Sequence, residues 1–210
     1  MGRLTLLIAL VVFVAGCQVG ATPVPTPLPS PTPHMPVTSA LLQASEVPAP
    51  LSACQDSGPI AAYLTSLQAS NPSLALRVSG QWQVLKKLGA RDAAISLFAA
   101  DPATCSAELA ASGSVKAAAS FVAVFGDEGQ ADRAWLAGVL GFVPPAPGEL
   151  PPGVARGAST GLGPSSWTYD RPPVRLASWR KSVFVALVVF TNLDAATFGV
   201  ATAAVDARLT

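Results

Sequence analysis

Residues 182 to 190, SVFVALVVF, carry no charge and a single hydroxyl, and this run limits the fold more than any other stretch. A strand of that composition has no wet face, so the pattern predicts a central place in a sheet. Two segments before it, WTYD (167–170) and VRLASW (174–179), alternate apolar with polar residues and read as strands with one solvated face. An earlier run, ASFVAVF (119–125), is rich in strand formers and ends at Gly126-Asp127. Residues 92 to 100, DAAISLFAA, fit either a short strand or a helical turn, because so few residues do not fix a period.

Helices are placed around these strands by their spacing. Ile60, Tyr63, Leu64 and Leu67 recur at helical intervals until Asn71-Pro72 breaks the run. Leu74, Val78, Trp82, Leu85 and Leu88 line one face of a second helix that stops near Gly89. Asp101-Pro102 opens a short helix carrying Cys105 and Leu109. Asp127 with Gln130 gives a capping-box pattern for a helix with Ala131, Ala134, Trp135, Gly138, Val139 and Phe142 on its apolar face, expected to stop at Pro144-Pro145. From Ala146 to Ser166 glycine and proline dominate, which reads as a long loop. Asp194 is placed to cap a last helix, with Phe198, Ala201, Val205 and Leu209 on one side. The segments FVAVFGDEGQADRAW and LVVFTNLDAATFGV can be laid over one another, Phe125 on Phe190 and Ala131 on Ala196, as two similar units on one sheet. The expected class is α+β: an antiparallel or mixed sheet of roughly four to six strands, helices mainly on one face, and Trp82, Trp135, Trp167 and Trp179 in or beside the core.

The beginning of the chain does not belong to that domain. One arginine, Arg3, precedes an apolar run from Leu4 to Val14 that is too short for a comfortable permanent span, which is the form of an export signal. Val14-Ala15-Gly16-Cys17 then resembles the lipobox of bacterial lipoproteins. The resemblance implies cleavage before Cys17 and diacylglycerol on its thiol, and so attachment to membrane lipid on the extracytoplasmic side of the cell membrane. Two acyl chains are enough for a stable anchor, since each buried methylene contributes about 0.8 kcal/mol. Val19-Gly20-Ala21 offers ordinary secretory cleavage as the alternative. Prolines at every second position from Pro23 to Pro33 fix the backbone and remove amide donors, giving an extended tether that spans something like 60 Å at about 3.1 Å per residue. The chain thus divides into a signal (1–16), a Pro-rich tether (17–38) and one domain (39–210). About 170 residues remain for the domain, enough to bury roughly 70 % of the unfolded surface.

Export gives the other two cysteines a meaning. Cys54 and Cys105 lack metal-ligand spacing and are expected to form one disulfide, the alternative being two buried thiols. The only histidine, His34, lies in the tether, so no Ser/His/Asp, Cys/His or histidine-zinc site is expected, and no metal or cofactor. Ser178-Trp179-Arg180-Lys181 matches a Ser-x-x-Lys pattern, but it lies between strands and lacks a Lys-Thr-Gly partner. Gly157, Gly161 and Gly163 lack the Gly-Lys-Ser/Thr of a phosphate loop. Asp127, Glu128 and Asp132 suit a helix start without any catalytic role.

A net charge of +1 gives no general attraction for nucleic acid, and none is expected as a partner. One local cluster remains. Arg171, Arg175, Arg180 and Lys181, with Arg156 in the preceding loop, could share a face beside Trp167 and Trp179, where guanidinium forks suit an anionic envelope ligand; the alternative is solvated strand edges that discourage aggregation. The order of helices, cysteine pair, strand–helix unit and strands ending in a helix resembles the extracellular sensor domains of some actinobacterial Ser/Thr kinases and related surface lipoproteins. That resemblance is one of architecture, with one cysteine pair where those domains commonly have two, and no functional residue is carried across. The function expected is non-catalytic: an anchored surface lipoprotein binding a ligand or a neighbouring envelope protein, or alternatively a structural or assembly factor of the envelope.

Overall fold

The computed structural model describes residues 36–106, 115–148 and 150–210. The signal, Cys17, the tether up to residue 35 with His34, and Leu109 lie outside the described residues. Among the described residues no helix is long and apolar enough to cross a membrane.

Eight strands form one antiparallel sheet, in the order β1-β3-β4-β8-β7-β6-β5 with β2 also on the outer edge of β3. They are β1 (Ser52–Ala53), β2 (Gly58–Pro59), β3 (Ala90–Ala99), β4 (Ala117–Phe125), β5 (Val154–Arg156), β6 (Ser166–Arg171), β7 (Val174–Lys181) and β8 (Phe184–Thr191). The expected α+β class and antiparallel sheet are borne out. The strand number exceeds expectation because β1, β2 and β5 have only two or three residues each, too short to show a period. The ambiguous stretch from Asp92 is a full strand of ten residues, from Ala90, held by pairing with β4 along its length.

The uncharged apolar run forms β8, buried at every position and flanked by β4 and β7. Its alternate side chains feed two separate cores. Val185, Leu187 and Val189 face the helices α1 (Ile60–Ser70), α2 (Pro72–Lys87) and α3 (Glu128–Ala137), together with Tyr63, Leu67, Trp82, Leu85 and Trp135. Ala186, Val188 and Phe190 face α4 (Ala195–Arg208) and an N-terminal strap, residues 37–46, made of two 3-10 turns. Three of the four α-helices therefore lie on one face, and α4 with the strap closes the other. All four tryptophans are buried, at 8 % exposure or less. Val37 is buried as well, so packed structure begins two residues before the expected boundary at 39.

Local chemistry sets the helix ends. Asn71 caps α2 through its side-chain oxygen on the Leu74 amide, with Pro72 at the first position. Asp127 and Asp194 cap α3 and α4 in the same way, accepting from the Gln130 and Thr197 amides at 2.7 and 2.8 Å. Gln130 reaches back to the Gly126 amide at 3.0 Å, one residue beyond a capping box. Helix α3 stops at Gly138, not at Pro144-Pro145, because Gly138 takes φ +100° and a tight turn follows, bridged between Val139 and Phe142. The 146–166 segment also holds more order than expected. It contains β5 and a 3-10 turn (Gly157–Thr160), gathered on the Ser166 hydroxyl, which bonds the Gly157 and Gly163 carbonyls and Thr160.

Cys54 and Cys105 form the expected disulfide, closing 51 residues. It joins the chain beside β1 to a 3-10 turn (Pro102–Ser106) next to β3. Replacing both cysteines by serine is expected to lower unfolding free energy by about 4 kcal/mol, read from urea titrations of oxidised protein and variant.

Candidate functional site

A concavity lies at the β3 edge of the sheet, between the strap and the arm formed by residues 52–59. The strap enters the fold through Val37, Ala40, Leu41 and Leu42, all buried against Ala94, Phe98, Ala118 and Val122. Its backbone meets the sheet at one polar point. The Leu42 amide donates to Ser120 Oγ at 2.8 Å, and Ser120 Oγ lies 2.9 Å from Ser96 Oγ on the neighbouring strand. The far end of the strap is tied to α4 by Arg208, whose guanidinium donates at 2.9 Å to both Glu46 Oε2 and the Leu41 carbonyl. Glu46 also accepts the Gln43 amide at 2.8 Å.

The opposite wall is tied by different means. β1 pairs with Phe98 and Ala99, β2 with Ala94 and Ile95, and the turn between them leaves the Leu97 edge to be filled. The Cys54 amide and the Ser57 hydroxyl both reach the Leu97 carbonyl, at 2.8 and 3.2 Å, while Ser57 Oγ accepts the Leu97 amide at 3.0 Å. The disulfide holds the same turn from below. Between these walls is a groove of about 290 Å³, with Thr38, Leu41, Leu42 and Gln43 on one side, Ala53, Ser57 and Gly58 on the other, and Ser96 and Phe98 as its floor.

Among the described residues no charged side chain lines the groove. Its floor carries the Ser96 hydroxyl, 5 % exposed. Ser96 and Ser120 share one hydrogen bond but own two hydroxyl protons, and Ser120 already accepts the Leu42 amide. Ser120 is 1 % exposed, so leaving its proton unpaired is costly, about 1–3 kcal/mol, whereas Ser96 borders open space. The favoured arrangement has Ser120 donating to Ser96 and the Ser96 proton directed at the groove. Such a site suits an uncharged, largely apolar molecule with one acceptor oxygen. Its volume falls just below the range of ligand pockets, which run about 300–1,000 Å³.

The cations singled out by sequence lie elsewhere, and they are divided. Side chains alternate along a strand, so Arg175, Trp179 and Lys181 of β7 project toward α4, while Arg180 of β7 with Trp167 and Arg171 of β6 project toward α3. The expected shared face is therefore corrected: the odd spacing between Arg175 and Arg180 separates them across the sheet. Most of these groups serve packing. Trp179 is fully buried and its indole N–H donates to Asp206 Oδ1 at 2.9 Å, with Lys181 Nζ on Oδ2 at 2.9 Å, which fixes α4 to β7. Arg180 pairs with Asp132 at 3.2 Å and Glu128 at 3.6 Å on α3. Arg175 pairs with Asp170 at 2.8 Å and reaches the Leu193 carbonyl. Arg171 is exposed at the end of β6. Trp167 is buried in the helix-covered core, and Ser178 is wholly buried in mid-strand.

The strap and arm escaped the sequence reading because residues 39–58 show neither period, only scattered apolar residues among prolines and serines. A signal was present in Val37, Ala40, Leu41 and Leu42, four apolar residues within six positions straight after the tether. No protein family, no curated protein and no solved structure matches this chain.

Burial by itself raises the Glu46 pKa, but the Arg208 guanidinium and the Gln43 amide outweigh it and hold the carboxyl below its ordinary 4.5. On acidification the unfolded chain takes up this proton first, so the stabilisation is complete above about pH 4.5 and is lost as pH falls through the lower folded value. Glu46→Gln is expected to cost about 1–2 kcal/mol at neutral pH, and the gap from the parent should close in acid, as read from urea midpoints across pH.

Proposed function

We propose that this protein is a lipid-anchored, extracytoplasmic lipoprotein whose domain binds an uncharged, mainly apolar small ligand in the groove between strap and arm, without catalysis. The observation that carries the reading is the separate fastening of the two walls, one by Arg208 and Ser120, the other by the disulfide, around a floor that carries the Ser96 hydroxyl. Fixed walls reduce the ordering cost of binding, which is what a ligand site needs. The disulfide suits an oxidising compartment, in keeping with a Cys17 anchor and an export signal. The groove lies at the opposite sheet edge from the 146–166 loop, so the loop is not needed as its lid.

Two measurements test this. The intact mass of the membrane-extracted protein should show Cys17 as the first residue carrying a diacylglyceryl group; an unmodified start at Thr22 would refute anchorage. Organic extracts of the native protein should contain a co-purifying neutral compound that is lost when the exposed wall residues are filled, Ala44→Trp with Ala53→Trp. Equal recovery from parent and filled variant sinks the groove as the site.

A further inference from the structure

Charge is unevenly placed in this nearly neutral chain. From residue 57 to residue 91 there is no aspartate or glutamate, while Arg77, Lys86, Lys87 and Arg91 all fall within it. This stretch forms the α1–α2 layer, the outermost cover on its side of the β3 edge. Helix α2 buries Leu74, Ala75, Trp82 and Leu85, and its opposite side presents Leu76 at 76 % exposure and Val84 at 48 %. Helical spacing sets Lys87 on the same outward stripe, three residues past Val84, with Arg77 at its border. Lys86 stands beside it, its ammonium 6.0 Å from the Trp82 ring.

We infer that the outward face of α2 docks on an anionic lipid bilayer. Exposed aliphatic side chains beside Lys86 and Lys87 are complementary to negatively charged headgroups over an acyl boundary. The acids on the neighbouring helix α3 do not cancel this charge, since Glu128 and Asp132 are engaged by Arg180. The inference rests on the anchorage through Cys17 proposed above: a tether of about 60 Å is long enough for the α2 face, on the side of the sheet opposite the strap, to reach lipid, and docking then gives the domain a preferred orientation against the membrane.

The test uses the chain from residue 17 to residue 210 with Cys17→Ser, which retains every residue of the folded domain and removes the anchor, so that docking and anchorage can fail independently. Co-sedimentation is measured with vesicles of phosphatidylcholine alone and with about one third phosphatidylglycerol. Binding is expected only to the anionic vesicles, weakening as salt shortens the screening length from about 10 Å at 0.1 M to about 3 Å at 1 M. Lys86→Gln with Lys87→Gln should lower partitioning roughly 20- to 30-fold, and Leu76→Ser severalfold at constant charge. Arg171→Gln, at the other sheet edge, should change little. Equal binding to neutral vesicles, indifference to the α2 substitutions, or retention by soluble polyphosphate without vesicle binding would each overturn the inference.

Discussion

The pairing of β4 with β8 governs the rest of the molecule. Both strands are apolar on both faces, and eight consecutive residue pairs join them in the centre of the sheet. Neither face can be left to water, because burying a side chain such as Val188, Phe121 or Phe190 stabilises the fold by about 1.5–3 kcal/mol that exposure would forfeit. Two covers are therefore required, and the chain supplies them from different regions. Helices α1 to α3 come from the middle. The second cover joins the two ends of the domain, the strap from its beginning and α4 from its last residues.

Joining the ends in one layer imposes polar costs, and the residues that meet them are the ones that define the groove. A strap without regular pairing brings backbone amides against an apolar sheet, and Ser120 is the hydroxyl that receives one of them from inside the core. Arg208 satisfies the Leu41 carbonyl and Glu46 together, so the C-terminal helix closes what the N-terminal strap opens. On α4 itself, Asp206 gathers Trp179 and Lys181 from β7. Cations that look available for a partner are thus spent on holding covers to the sheet, while the uncharged groove and the acid-free α2 face remain for interaction.

How much of this was legible in the sequence depends on the length over which a pattern repeats. β8, β4, α2 and α4 extend far enough for period to be read, and the Asp127 and Asp194 caps fall where their side chains suggest, while Asn71, legible only as a break, caps α2. The pairing of Cys54 with Cys105 followed from compartment and number. The strap was not legible, since its order comes from contacts with Phe98 and Val122 more than fifty residues away, and 3-10 turns carry no lasting periodicity. The cation cluster failed for a simpler reason: adjacency in sequence was taken as adjacency on a face, and a pleated strand sends alternate residues to opposite sides.

Val37, Ala40, Leu41 and Leu42 pack into the core and fix residues 37–46 as a wall of the groove. Amide hydrogen exchange at Leu42 tests it most directly, because that N–H has one partner, the buried Ser120 hydroxyl. The account predicts exchange through global unfolding, with a protection free energy equal to that of the Val122 amide in the centre of β4. Exchange at Leu42 many orders of magnitude faster than at Val122, under conditions where β4 stays protected, would contradict it.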